Sequence, residues 1–285
     1  MARDLDGRTF VVTGASAGIG RATASALAER GGRLVMACRD VDKAGAVAAQ
    51  IRSATGAHVE VVGLDLADLE SVRRCAGELA SRAEPVHVLV NNAGIAGVRG
   101  VTRDGFELAF GTNHLGHFLW TALLLDKLAE SAPARIVHVA SRAHYQAERP
   151  DWSALRAPTK SRTGVAEYRL SKLCNILFSR ELAHRLDATR VRTYALHPGV
   201  VASDLWRVLP SFAQWLAKRV MITNEEGALT SLHCAASAEA AHETGLYYHD
   251  ARPRAPSELA RDDGLARELW ARSEEWTRAP SPTAR

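Results

Sequence analysis

Apolar residues along the chain gather into short runs. They are RTFVVTG (8–14), RLVMAC (33–38), HVEVVGLD (58–65), VHVLVNN (86–92), RIVHVAS (135–141) and VRTYALHPG (191–199), with a seventh, GLYYHD (245–250), late in the sequence. Near-continuous apolar runs suit strands buried on both faces. Between them lie segments such as GRATASALAERGG and LESVRRCAGELASR, whose apolar residues recur at helical spacing. Alternation of this kind predicts βαβ units and a doubly wound parallel sheet of seven strands, an α/β fold. No low-complexity stretch or linker divides residues 1–285, so one domain is expected, with its core over 5–250. Residues 251–285 add an appendage in which Pro253 and Pro256 break structure and Ser257 caps the next helix. Leu259, Leu265, Leu269 and Trp270 give it one apolar face, so a terminal helix is expected, with a frayed tail after Pro280.

Composition narrows the class. The chain has 285 residues, 47% hydrophobic and 24% charged, the profile of a globular protein large enough to bury a core without staples. The net charge of +4 is mild and the arginines are dispersed, which argues against a nucleic-acid surface. Cys38, Cys75, Cys174 and Cys234 form no C-x-x-C pair and no metal-like spacing, so reduced, buried thiols are expected. The amino terminus lacks a signal-peptide apolar core, and no stretch approaches ~18 apolar residues. The expectation is a cytoplasmic protein with no membrane span.

Candidate chemistry starts at TGASAGIG (13–20), which comes after the first strand and opens the first helix. Glycines there let the backbone turn sharply and approach a pyrophosphate, and the helix N-terminus offers free N–H groups. Alone, the stretch also fits a structural turn. Its G-x-x-x-G-x-G spacing resembles the signature of the short-chain dehydrogenase/reductase family, and the family's further motifs occur in order. NNAG (91–94) comes after the fourth strand, Asn113 lies in GTNHLGH, Ser141 ends the fifth strand, YRLSK (168–172) gives Y-x-x-x-K, and HPGVVASDL (197–205) carries the P-G motif. Each is weak alone; together, over about 250 residues, they are specific. ACRD (37–40), EYRLSKLCNILFSRELAHRL (167–186) and the ending PSELARDDGLARELWARSEEW look like the retinol-dehydrogenase-like branch. That branch includes WW-domain oxidoreductases and relatives of protochlorophyllide reductase.

The resemblance implies a Rossmann-like fold and an enzyme interconverting a hydroxyl and a carbonyl. Tyr168 would be the proton donor. A free phenol has a pKa near ~10, and Lys172, one helical turn on, is expected to lower it. The resemblance also gives Lys172 the nicotinamide ribose, Ser141 the substrate oxygen, and Asn113 a water that relays protons through Lys172. Ser141 and Tyr168 are 27 residues apart, so RAHYQAERPDWSALRAPTKSRTG (142–164) is read as an extra loop near the active-site mouth, with Tyr145 and Trp152 lining it or packing it down.

For the cofactor, Gly14, Ser16, Ala17, Gly18, Ile19 and Gly20 are expected to hold the pyrophosphate. Asp65 and Leu66 flank the adenine, and Asn91, Ala93 and Gly94 form the groove floor. Pro198, Gly199, Val201 and Ser203 are expected near the nicotinamide. The family's acidic ribose position falls on Cys38, which cannot make that contact, and Arg39 could pair with a 2′-phosphate. This favours NADP(H); NAD(H) stays open, because Asp40 could face the ribose. The segment 203–225 would cover the substrate, and Trp206, Phe212 and Trp215 in LWRVLPSFAQWLAKRVM (205–221) suggest an apolar one. A packed amphipathic helix is the alternative. His114 and His117 are read as satisfied core or surface histidines, His138 and His197 as structural, and no metal site is expected. The family commonly pairs through the helix carrying Tyr168, so a homodimer or homotetramer through 173–186 is permitted. A C=C reductase and a non-catalytic scaffold remain alternative functions.

Overall fold

The structure is a computed structural model that describes residues 3–199 and 222–280. β1 (Thr9–Thr13), β2 (Arg33–Cys38), β3 (Val59–Gly63), β4 (Val88–Asn91), β5 (Ala134–Val139), β6 (Val191–His197), β7 (Leu246–His249) and β8 (Arg252–Pro253) form one sheet of order β3-β2-β1-β4-β5-β6-β7-β8. Pairs from β3 through β7 are all parallel. β1, β4 and β5 are buried at every position, as strands rich in apolar residues and covered on both faces are. The eighth strand was not expected: β8 pairs antiparallel with β7. Asp250 and Ala251 take left-handed φ values of 52° and 55°, which closes a two-residue hairpin without the usual Asn-Gly signal.

Helices cover both faces. One side of the sheet packs with α1 (Gly18–Glu29), α2 (Val41–Thr55) and α6 (Asn224–Ala236), through Leu27, Val47, Tyr194, Cys234 and Tyr248. The other packs with α3 (Leu69–Ala80), α4 (Gly116–Glu130), α5 (Val165–Arg185) and α7 (Asp263–Thr277), through Val72, Phe118, Leu173, Leu269 and Trp270. All four cysteines are buried free thiols. Among the described residues no helix is long and apolar enough to cross a membrane.

The terminal helix is present, but Ser257 does not cap it. The Ser257 hydroxyl accepts from Ala260 N, while Asp262 caps α7 by accepting from Leu265 N at 2.9 Å. Leu265, Leu269 and Trp270 are buried, and Trp270 packs edge-on against Phe118 at 5.0 Å between ring centroids. Arg180 on α5 pairs with Asp263 at 2.6 Å. As a result the α5 face named for subunit pairing is filled within one chain: Leu173, Cys174, Ile176, Leu177, Phe178 and Leu182 are all buried. Part of that face meets α7 through Phe178 and Trp270, 5.7 Å between ring centroids. At the inner side of α7, Ser273 meets the ring of His114 at 3.0 Å. Ser273→Ala would orphan that buried nitrogen and should lower stability by about 1–3 kcal/mol. Urea unfolding checks this, and an unchanged midpoint would refute the latch.

Candidate active site

The carboxyl ends of β1, β2, β4 and β5 open onto one groove. At its floor the glycine loop touches the chain after β4. A Cβ on Gly14, whose φ is +67°, would lie 2.9 Å from Ala93, and one on Gly20 would lie 2.3 Å from the Asn92 amide nitrogen. Only glycine allows this approach. Thr13 fastens the junction: its hydroxyl accepts from Asn92 N and Ala93 N, both at 3.0 Å, and Asn92 Nδ2 donates back to Thr13 O at 2.9 Å. α1 then starts at Gly18 with no side-chain cap and no acidic residue in its first turn. Among the described residues no side chain caps its leading N–H groups, so the positive end of the helix is left open. Ser16, Ala17 and Ile19 stand at this opening, none of them buried. These features fit a pyrophosphate.

At the end of β2 the Cys38 thiol is buried against the backbone of Gly14, Ala15 and Ser16, and burial raises its pKa. Arg39 is exposed and makes no hydrogen bond or ion pair among the described residues. Asp40 is committed elsewhere. Its carboxylate caps α2 by accepting from Lys43 N at 2.9 Å. Beyond β3, Asp65 forms a local turn by accepting from Ala67 N, and Leu66 is buried beneath Gly116. Asn91 does not line the groove with its side chain. Its amide points into the body, where it donates to Thr121 Oγ1 at 2.8 Å and meets His138 at 3.3 Å. Pro198 and Gly199 lie at the end of β6, both half-buried. Val201, Ser203, Trp206, Phe212 and Trp215 lie outside the described residues.

The four expected catalytic residues converge beside Gly94. A Cβ there would sit 3.3 Å from both Asn113 Oδ1 and Lys172 Nζ. Asn113 occupies a π-helical turn (Gly111–Leu115) that leads into α4. Such turns are often found at functional sites. Its Oδ1 accepts from Ile95 N at 2.8 Å, and its Nδ2 donates to Ile95 O and to Ser171 Oγ, both at 2.9 Å. Ser171 in turn donates to Tyr168 O at 2.8 Å. Both amide hydrogens are therefore engaged. This side chain ties the NNAG loop to the Tyr168 helix.

Tyr168 and Lys172 share a face of α5, with Nζ 5.7 Å from the ring centroid. The expected lowering of the phenol is not what the surroundings produce. Burial raises the Tyr168 pKa, with the Ser141 hydroxyl beside it pulling the other way. Lys172 is itself buried, donates to Val139 O at 2.8 Å, and is pushed down to about 8. Desolvation penalises the charged form of each group. Ser141 is extended; its oxygen accepts from Ala143 N at 3.2 Å, which leaves its O–H free to donate. The 142–164 insertion begins in the short turn Arg142–Gln146 and carries Tyr145 and Trp152. Trp152 packs down against Trp276, 6.4 Å between centroids, whereas Tyr145 is half-exposed.

Sequence reasoning passed over Thr13, Asn92 and His144 as site residues, and His117, read there as a satisfied core or surface histidine, has both ring nitrogens partnered in the core. His117 is fully buried, with Nδ1 on Asn113 O at 3.0 Å and Nε2 on Thr13 Oγ1 at 2.9 Å. Burial, aided by the nearby Lys172 charge, depresses it to about 4, so it is neutral and its Nδ1 holds the proton. His144 links Ser141 O at 2.6 Å to Ser257 N at 3.1 Å and steadies the serine turn. The sequence signal for His117 was its spacing of four from Asn113.

Residues 8–213 match the family model described as short chain dehydrogenase. Retinol dehydrogenase 11 of Homo sapiens is 45% identical over 271 residues, covering 93% of this chain and 84% of its own. Retinol dehydrogenase 13 of Homo sapiens is 40% identical, covering 99% and 88%. An uncharacterized protein from Mycobacterium paratuberculosis has a similar solved structure, with TM-score 0.80, 34% identity and 99% of each chain covered. A candidate NAD(P)-dependent gluconate 5-dehydrogenase from Beutenbergia cavernae, solved with NADP at low occupancy, gives TM-score 0.72 at 28% identity, covering 88% and 97%.

Proposed function

The chain belongs to the short-chain dehydrogenase family of NAD(P)-dependent dehydrogenases and reductases, and from that premise we propose that it interconverts a carbonyl and a hydroxyl on an apolar small molecule, with NADP(H) as cofactor. The observation that carries this reading is the Tyr168 phenol, with the Ser141 hydroxyl at its side and the Lys172 ammonium on the same helix face. When bound, the nicotinamide supplies the hydride. Tyr168 supplies the proton to the carbonyl oxygen. Because burial raises its pKa, the phenol carries that proton at neutral pH, which suits the reductive direction. Ser141 donates a hydrogen bond to the same oxygen and holds it within reach of the phenol. The Lys172 ammonium stabilises the phenolate left behind, and its two remaining N–H groups are available to a ribose. Asn113 acts by position, through Ile95 and Ser171. Measuring NADPH oxidation with a panel of apolar aldehydes and ketones tests the reading; no turnover on any of them would count against it.

The preference for NADP(H) rests on Arg39 and Asp40. Asp40 is held as the cap of α2, and Arg39 is free beside the ribose end of the groove. A free guanidinium recognises a 2′-phosphate through paired N–H donors. NADPH should bind at least about tenfold more tightly than NADH, a gap of ~1.4 kcal/mol. Energy transfer from tryptophan reads this directly. Arg39→Ala should close most of the gap; a native preference for NADH would transfer the ribose contact to Asp40 and refute the assignment.

A further inference from the structure

Next to Ser141, at the carboxyl ends of β6 and β7, lies a separate concavity of about 370 Å³. It is lined by Arg142, Tyr145, Tyr247, His249, Arg254 and Ala255. The local structure explains the set. Tyr247 and His249 are two apart on β7 and share a face of the sheet. Arg142 and Tyr145 are three apart on a 3₁₀ turn, where such residues eclipse. The left-handed turn at Asp250–Ala251 doubles the chain back and brings in Arg254, whose backbone N donates to Tyr247 O at 2.8 Å. Tyr145 Oη closes the rim by donating to Ala255 O at 2.6 Å.

The charges here are one-sided. Arg142 and Arg254 are exposed, and neither guanidinium has a hydrogen-bond acceptor or carboxylate partner among the described residues. The acidic group at the rim is Asp250, which is 73% exposed and 3.5 Å from His249. Two buried polar groups also go unanswered. Tyr247 is 3% exposed and its hydroxyl has no partner among the described residues. His197, 5.0 Å from His249 between ring centroids, is 4% exposed with both ring nitrogens unpartnered among the described residues. Its pKa is pushed down to about 3, by burial first and then by His249, Arg142 and His144. A buried hydroxyl without a partner is uncommon and calls for a ligand or solvent to satisfy it.

We infer that this pocket receives the carboxylate of an acidic substrate, gripped by Arg142 and Arg254 with the Tyr247 hydroxyl donating to it. Planar guanidinium groups match a carboxylate, and two of them beside Asp250 suit a monoanion better than a dianion. The volume is at the small end for ligand sites, enough for an acidic end and an adjoining apolar portion against Tyr145. Arg142 directly follows Ser141, so the pocket adjoins the catalytic pair, and the proposal extends to an acid held here whose carbonyl reaches Ser141 and Tyr168. The substrate class is therefore an oxo acid with an apolar body. Its role as a substrate rests on the dehydrogenase reading; the anion site does not.

Calorimetry with benzoate and its neutral analogue benzamide tests the site without catalysis. Benzoate should bind at least about tenfold more tightly than benzamide. The Arg142→Gln, Arg254→Gln double variant should lose that margin, and Tyr247→Phe should weaken it several-fold. Both arginines are exposed, so the double variant is expected to fold. In turnover with NADPH, 4-formylbenzoate should exceed its methyl ester in kcat/KM by about tenfold, and the ratio should approach unity in the double variant. Equal binding of benzoate and benzamide, or undiminished benzoate binding in the double variant, would overturn the pocket. Equal kcat/KM for acid and ester would overturn its link to the reaction. Selective benzoate binding with neither aldehyde nor any member of the apolar carbonyl panel reduced would leave the anion site standing and remove the dehydrogenase reading instead.

Discussion

Tyr168→Phe should lower turnover by a factor of about 10²–10⁴, the usual contribution of a positioned proton donor. The substitution removes one oxygen and keeps the ring. That ring stays over Lys172 in the same geometry, 5.7 Å from Nζ. Cofactor affinity should therefore change little, since the glycine loop, α1 and the Arg39 end of the groove are untouched. The loss should fall on kcat, because the missing proton transfer is made only in the transition state. Steady-state kinetics with a fluorescence titration of NADPH on the same preparation separates the two quantities. Turnover near the native value would take Tyr168 out of the chemistry. A loss of cofactor binding equal to the loss of turnover would make it a structural residue of the groove.

The sheet was readable because burial on both faces leaves an unmistakable mark on the sequence. β1, β4 and β5 are apolar at most positions and buried at all of them. What stayed hidden depended on backbone conformation or on long-range packing. β8 exists because Asp250 and Ala251 adopt left-handed φ, which neither residue announces. The closure of the α5 face by α7 involves residues some ninety positions apart, Phe178 against Trp270, and periodicity does not report which two apolar faces will meet. A helix face rich in leucine reads the same whether its partner is another subunit or the chain's own end.

In the site, residues whose backbone or spacing does the work could be located from sequence, and residues whose side chains could turn two ways could not. Gly14, Gly20 and Gly94 are where the motif spacing put them, with the close approaches that need glycine. Asn91 turned inward to Thr121 and His138, and Asn92, one position on, reaches the glycine loop. Alternation along a strand makes this an even choice unless a partner is known. Asp40 could have served either the ribose or a helix cap, and the start of α2 at Val41 decides for the cap. His117 illustrates the opposite case. Its environment, not its sequence, makes it a neutral strut between Thr13 and Asn113.

Lys172→Met should stabilise the fold while abolishing activity. Native Lys172 releases its proton near pH 8 because burial disfavours the ammonium, against 10.5 for the ordinary side chain. At about 1.4 kcal/mol per pH unit, that difference represents roughly 3 kcal/mol of destabilisation. The unfolded chain holds the proton up to 10.5 and the native one only to about 8. Between those values the unfolded state binds more protons, so stability rises with pH; below about 8 both are charged and the full penalty is present. Methionine is unbranched and of similar length, and it replaces the charge without opening a cavity. It forfeits the bond to Val139 O, which offsets part of the gain, so the net at pH 7 should be about 1–3 kcal/mol in favour of the variant. The advantage should shrink as pH rises toward 9.5, where native Lys172 is already neutral. Of the titratable groups facing the ammonium, His117 titrates near 4 and stays silent across this range, and burial raises the pKa of the Tyr168 phenol. Urea unfolding of both proteins at pH 7 and 9.5 gives the comparison. A variant less stable than the native protein at pH 7 would mean that the ammonium is well solvated through its neighbours, and the buried-charge argument would fall. A variant that is more stable and inactive would show that the chain carries this charge for its chemistry, at the expense of its fold.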